Sequence, residues 1–182
     1  MQTLFYFRYL CKKVQMKTYY SETVVRWSDL DANMHLANSS FMNFTSFARI
    51  EFLRKCGITL EDFARYKIGP AVLREEISFF REAHEGQEIM ISVVISGNSE
   101  NGEIFEFEHN LYDKNSGQHL AYSRVFGLWF STAERKRMPP PAEMQLKIMS
   151  NTDKENMRSL SFKDLKELPV RPNNIDPKIF NK

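Results

Sequence analysis

Several features that define other protein classes are scarce in this 182-residue sequence. Its two cysteines, Cys11 and Cys56, are too few for a disulfide framework, and they fit a reducing, cytoplasmic location. The 7 glycines and 7 prolines exclude collagen-like and low-complexity chains. No apolar run reaches the ~18–20 residues that a membrane-spanning helix needs. Neither sign of charge dominates, since the chain has 25 basic and 23 acidic residues. Because it also lacks zinc-finger spacing, we expect no nucleic-acid partner.

The composition is that of a globular chain with a sizeable core, because 42% of the residues are hydrophobic and 15 are Phe. We expect a single domain over residues 16–149. Residues 1–15 form an extension whose basic residues follow its apolar stretch, which is unlike a secretory signal. A membrane-surface segment and a stretch upstream of a true start at Met16 both stay open. Residues 150–182 read as a polar tail, poorly ordered or draped over the domain, with a helical stretch near 161–168.

The hydrophobic pattern predicts one strand, a polar loop, two helices and four further strands. The long helix begins at Asn38 or Ser39, either of which accepts a bond from a first-turn amide, and ends at Gly57. Its broad apolar face predicts that it is covered on most sides. A shorter helix covers 59–66, and the strands cover 23–27, 70–81, 87–96, 103–113 and 119–130. Turn sequences at 101–102 and 115–117 join the last three strands into an antiparallel meander.

The loop before the long helix carries the polar residues that could take part in catalysis: Asp29, Asp31, His35 and Asn38. The helix then contains the run Ala48-Arg-Ile-Glu-Phe-Leu53. With Phe80-Arg-Glu-Ala83 and Gly86-Gln87 further on, this pattern resembles the hotdog-fold acyl-CoA thioesterases of the 4-hydroxybenzoyl-CoA thioesterase type over about residues 20–148. Met34 stands where that family usually has a glycine that eases a tight turn.

The resemblance implies an α+β hotdog fold, in which a curved antiparallel sheet wraps around one long central helix. It implies hydrolysis of an acyl-CoA, with Asp31 as nucleophile or as base on water. It also implies a homodimer, or a dimer of dimers, formed by joining sheets. The helix N-terminus at Asn38, Ser39 and Ser40 offers backbone amides to the developing oxyanion.

The roles of several candidates stay open at this stage. His35 either orients Asp31 or water, or hydrogen-bonds the loop, and Asn38 caps the helix, contacts substrate, or does both. Arg81 and Arg124 are candidates for binding CoA phosphates, against solvation at the surface.

Two other classes of site are not predicted. We expect Asp29 to shape the loop by bonding to backbone amides. Asp29, Asp31 and His35 could ligate a metal ion, but no second cluster of ligands supports them, so we expect no metal site. CoA would be the carrier of the substrate, and no resident cofactor is expected.

Two alternatives compete with a thioesterase. The first is a non-catalytic hotdog module that binds an acyl ligand or a protein. The second is a hotdog dehydratase, which needs an acid on the central helix. Glu51, the sole acid there, lies near the far end of that helix and is poorly placed to act with the loop. His109 is expected to be a core residue, since it shares a strand face with Phe105 and Phe107.

Overall fold

The computed structural model describes residues 18–167. The extension at 1–15 and the end of the tail lie outside them. The strands are β1 (Tyr19–Val24), β2 (Ile68–Phe79), β3 (Glu88–Ser99), β4 (Ile104–Asp113), β5 (His119–Ser131) and β6 (Arg158–Leu160). The helices are α1 (Asn38–Lys55), α2 (Leu60–Tyr66), α3 (Ala142–Ser150) and α4 (Phe162–Lys166), with a single 3₁₀ turn at Trp27–Asp29. Within these residues no helix combines the length and apolar character needed to cross a membrane.

The strands form one sheet in the order β1-β3-β4-β5-β2, and every neighbouring pair in that order is antiparallel. The predicted meander of β3, β4 and β5 is confirmed. Gly102 and Gly117 lie in its two turns with φ of 71° and 72°, a conformation that favours glycine. The small strand β6 was not predicted. It pairs parallel with β3 beyond the end of β1.

Helix α1 packs on the sheet through one face, which buries Phe41, Ala48, Phe52 and Leu53. A curved, mainly antiparallel sheet around this helix is the hotdog architecture that the sequence predicted. The expectation that α1 is covered on most sides was wrong for the single chain, because Phe47 is 50% exposed. Apolar spacing shows that a residue is hydrophobic but does not show whether the same chain covers it.

A buried polar cluster joins α1 to the sheet. Arg49 on α1 lies with its Nη1 3.8 Å from Glu75 Oε1 on β2, and both side chains are almost fully enclosed. The same carboxylate oxygen accepts hydrogen bonds from Thr45 Oγ1 at 3.2 Å and from Ser123 Oγ at 3.1 Å. Burial lowers the pKa of Arg49, and the nearby charge of Glu75 works against that shift. An enclosed ion pair thus links α1 to β2.

His109 lies wholly inside the protein, stacked on Phe107 of the same strand. Burial, with the charge of Arg49 as a second cause, lowers the pKa of His109 to about 3. The ring is therefore neutral at physiological pH, and the core position predicted for this residue is confirmed.

The tail is draped over the domain as far as residue 167, the second of the two alternatives for this segment. Leu160 of β6 is 3% exposed and packs with Ile104 and Phe126 in a small apolar cluster separate from the main core. Helix α4 begins at a capping box, in which the Ser161 hydroxyl accepts from Lys163 N and the Asp164 carboxylate accepts from Ser161 N.

Candidate active site

The loop between β1 and α1 folds back on itself around Asp31. The Asp31 amide donates to the His35 carbonyl at 2.8 Å, and the Met34 amide donates to the Asp31 carbonyl at 3.0 Å. The Asp31 carboxylate oxygen Oδ1 accepts from the Asn33 and His35 amides at 2.8 and 3.3 Å. Within residues 18–167, no hydrogen bond reaches its other oxygen, Oδ2. One carboxylate oxygen therefore holds the loop, while the other is available to a substrate.

Met34 adopts the left-handed conformation, with φ of 62°. This is the position at which the resembled family usually has glycine, and a side chain there costs about 1–2 kcal/mol. The side chain itself is exposed. The turn thus keeps the geometry that glycine would allow, at the expense of backbone strain.

Asp29 anchors the loop to the rest of the site. Its carboxylate accepts from the Arg26 amide, and its carbonyl accepts from the Ala37 amide and from the Ser40 hydroxyl, each at 2.9 Å. The prediction that Asp29 shapes the loop is confirmed. Ser40 is buried, and its hydroxyl contacts the loop backbone.

The N-terminus of α1 presents fewer available amides than an uncapped helix. The helix begins at Asn38, as predicted, with Ala37 as the preceding cap residue. The Asn38 side chain accepts from the Ser39 amide at 2.8 Å, and the Ala37 carbonyl accepts from the Ser40 and Phe41 amides. In the described part of the chain, the amide of Asn38 has no acceptor. The amides of the next three residues are engaged, so the Asn38 amide is the first-turn donor without an intramolecular bond among the described residues.

One shallow cleft brings several of the predicted residues together. It is lined by Asp31, His35, Leu36, Asn38, Phe41, Phe79, Phe80, Arg81 and Glu82. Thus Asp31, His35, Asn38 and Arg81 share one cavity. Ser39 is exposed at the helix start but does not line this cleft, and Arg124 lies on β5, where it pairs with Glu108 at 3.2 Å.

The ring of His35 contacts two residues of the connection between β2 and β3. Its Nε2 lies 3.2 Å from Glu82 Oε2, and the ring meets that of His84 edge to face at 5.1 Å. These contacts are neither the orientation of Asp31 nor the bond within its own loop that were considered for His35, and both alternatives stay predictions. Sequence reasoning missed Glu82 and His84 as partners, although Glu82 directly follows the candidate Arg81.

A second, more enclosed cavity of about 180 Å³ lies along the C-terminal half of α1. Its walls are mainly apolar and include Ile50, Leu53, Phe105, Phe107, Trp129 and Ile148. The nearest helix residues that line the two cavities are Phe41 of the cleft and Ser46 of the enclosed cavity, which are about 7.5 Å apart along the helix axis.

Comparisons with known proteins agree with this architecture. A 1,4-dihydroxy-2-naphthoyl-CoA thioesterase from Synechocystis superposes with a TM-score of 0.66 at 22% identity, covering 72% of this chain and 96% of that one. A hypothetical protein from Staphylococcus aureus, solved in complex with CoA, superposes with a TM-score of 0.68 at 14% identity, covering 87% and 96%. At identities this low, the superpositions show the fold alone. No curated protein matches the chain in sequence. Residues 25–148 match the family model of the Thioesterase-like superfamily, and the chain belongs to that family.

Proposed function

We propose that this protein hydrolyses the thioester bond of an acyl-CoA, releasing a free acid and CoA. The observation that carries the proposal is the cleft in which the Asp31 carboxylate, the amide end of α1 at Asn38 and the Arg81 side chain come together. The family and the CoA thioesterase among the structural neighbours support the same chemistry.

Asp31 supplies the reacting carboxylate. Two loop amides donate hydrogen bonds to its Oδ1. These bonds fix the position of the carboxylate and leave Oδ2 without a bond to the turn. That oxygen either attacks the thioester carbon, giving a mixed anhydride and the CoA thiolate, or takes a proton from the attacking water.

The start of α1 supplies electrostatic stabilisation of the oxyanion. The Asn38 amide and the positive end of the helix stabilise negative charge on the thioester oxygen. If the Asn38 side chain rotates away, the Ser39 amide becomes a second donor. Arg81 is exposed at the rim of the cleft, where a guanidinium suits a CoA phosphate. His35, Ser40 and Arg124 stay predictions as contributors.

The test measures thiol release from short, medium, long and aromatic acyl-CoAs, with wild type beside Asp31→Asn. Asparagine keeps Oδ1 as acceptor for the loop amides but removes the charge, so the fold should persist while kcat falls by about 10²–10⁴. Asp153→Asn is the matched control, because Asp153 is a half-buried tail residue whose Oδ1 likewise accepts from the amide two residues further on, and it should retain activity. A folded Asp31→Asn variant with full activity would refute this assignment.

An isotopic label can identify Asp31 as a nucleophile that water regenerates by attack at the Asp31 carbon. In a single turnover in heavy-oxygen water, a base-assisted attack places the heavy oxygen in the product acid and none in the protein. If Asp31 is the nucleophile and water attacks the Asp31 carbon of the anhydride, the label appears in Asp31 instead. Mass spectrometry of the peptide that contains Asp31 reads the difference.

We also propose that two copies join through β2. This strand pairs only with β5 among the described strands, so its other edge is open, and Val72, Leu73, Phe79 and Phe80 are exposed along it and just beyond it. An open apolar edge is a ready template for a second sheet. Light scattering on the eluting protein should give twice the chain mass, or four times for a dimer of dimers.

The enclosed cavity along α1 favours one alternative, a non-catalytic module that binds an acyl ligand. Its apolar walls suit a hydrocarbon group, and Asp31 is not among its lining residues. If wild type binds acyl-CoAs but releases no thiol across the panel, this alternative replaces the hydrolase.

A further inference from the structure

A cluster of three metal-type donors lies beside the loop, formed by residues that are distant in the sequence. His35 belongs to the loop before α1, while Glu82 and His84 belong to the connection between β2 and β3. Their donor atoms all lie within 4.8 Å of one another. Two imidazoles with one carboxylate are a ligand set found in zinc sites that keep a fourth position for water.

The donor spacing is compatible with coordination of one ion, as it is with the ion pairs that Glu82 makes with the two imidazoles. Bonds of about 2.0–2.2 Å arranged tetrahedrally around one ion place neighbouring donors about 3.3–3.6 Å apart. Glu82 Oε2 lies 3.2 Å from His35 Nε2, and Glu82 Oε1 lies 3.6 Å from His84 Nε2. Glu82 and His84 are exposed and His35 is half-buried, so coordination of one ion by all three donors requires these side chains to rotate.

The two backbone segments that carry the donors are fixed to each other. The Leu36 amide donates to the carbonyl of the wholly buried Ala83 at 2.8 Å, which ties the residue after His35 to the residue between Glu82 and His84. The connection is closed by further bonds. Gln87 Oε1 accepts from the His84 amide at 3.0 Å, and the Gly86 amide donates to the Val25 carbonyl at 2.9 Å. The donors are therefore presented by a preformed frame.

We propose that His35, Glu82 and His84 bind a divalent transition-metal ion of the zinc class, and that the ion ties the Asp31 loop to the β2–β3 connection. No metal site was predicted from the sequence, because His35 was considered only with Asp29 and Asp31 of its own loop, and Glu82 and His84 are distant from it in the sequence. The site does not depend on thioester hydrolysis, so it stands or falls separately from the proposed function.

The test titrates Zn²⁺ into the full chain by calorimetry, after chelator treatment and without a histidine tag. Wild type is expected to bind one ion per chain in a saturable manner. His84→Ala and Glu82→Gln should each weaken that binding by about tenfold or more. Two matched controls, Glu85→Gln and His119→Ala, remove an exposed carboxylate and an imidazole outside the cluster and should bind like wild type.

A fold readout accompanies the binding data. Glu82 and His84 are exposed, so the metal-free variants should melt within about 2 °C of wild type, and Zn²⁺ should raise the melting temperature of wild type more than that of either variant. Equal affinity in wild type and His84→Ala would place the ion elsewhere and overturn the proposal. Absence of saturable binding by wild type would overturn it as well.

Discussion

Replacing Glu75 by glutamine should leave a buried cation without its counter-charge. The Arg49 and Glu75 side chains are only 11% and 9% exposed, and their closest charged atoms are 3.8 Å apart. Glutamine has the size of glutamate and keeps an oxygen that can accept from Thr45 and Ser123. The substitution therefore changes the charge while it disturbs the packing little.

The expected loss of stability is large. Removing one partner of a buried ion pair costs about 3–5 kcal/mol, because the remaining charge stays in a poorly polarisable interior. We take the lower end, about 3 kcal/mol, since Arg49 Nη2 keeps its hydrogen bond to Ser46 Oγ at 2.9 Å. At about 2–4 °C per kcal/mol for a chain of this size, the melting temperature should fall by about 6–12 °C.

A double-mutant cycle separates the charge from the packing. Urea unfolding of Glu75→Gln, Arg49→Met and the double variant is measured at one protein concentration, because association would otherwise shift the result. The double variant should be more stable than Glu75→Gln, since it buries neither charge. The reasoning is refuted if Glu75→Gln costs less than about 1 kcal/mol, or if adding Arg49→Met restores nothing.

Three further outcomes test other parts of the structure. Because the pKa of His109 is lowered to about 3, the unfolded chain binds one more proton between that value and its ordinary pKa of about 6.5. Stability should fall on acidification through this range by up to about 1.4 kcal/mol per pH unit, and His109→Gln should flatten that part of the profile measured by denaturant unfolding at each pH. A Cβ at Gly127 would lie 2.5 Å from the Ala71 carbonyl oxygen, so Gly127→Ala should lower the unfolding free energy by about 1–3 kcal/mol or more. Gly69→Ala, where contacts stay at 3.5 Å or beyond, is the milder control in the same urea experiment. Met34→Gly should change stability by no more than about 1 kcal/mol in either direction, because relief of left-handed strain offsets the added freedom of the unfolded chain, and a loss well above that would contradict the strain.

Local sequence patterns determined the order of the main elements. The apolar spacing after Asn38 predicts α1, and alternation with glycine turns predicts the β3–β5 meander, because both depend on periodicity within a short stretch. The loop carrying Asp31 was located in the same way, since a cluster of turn-forming residues between a strand and a helix is a local signal.

Contacts between distant elements were decided only by the tertiary structure. The packing of α1 on the sheet brings Arg49 next to Glu75, and Arg124 on β5 lies outside the cleft that Arg81 joins. The backbone bond between Leu36 and Ala83 brings His84 to His35.

The physical reason is the same in each case. Periodicity assigns a side chain to a face, whereas its partner depends on how two separate segments align, and that alignment is set by the packing of the whole core. The sequence by itself therefore specified the elements and the acidic loop. Only the folded chain decided which side chains surround that loop and which amide at the start of α1 remains available.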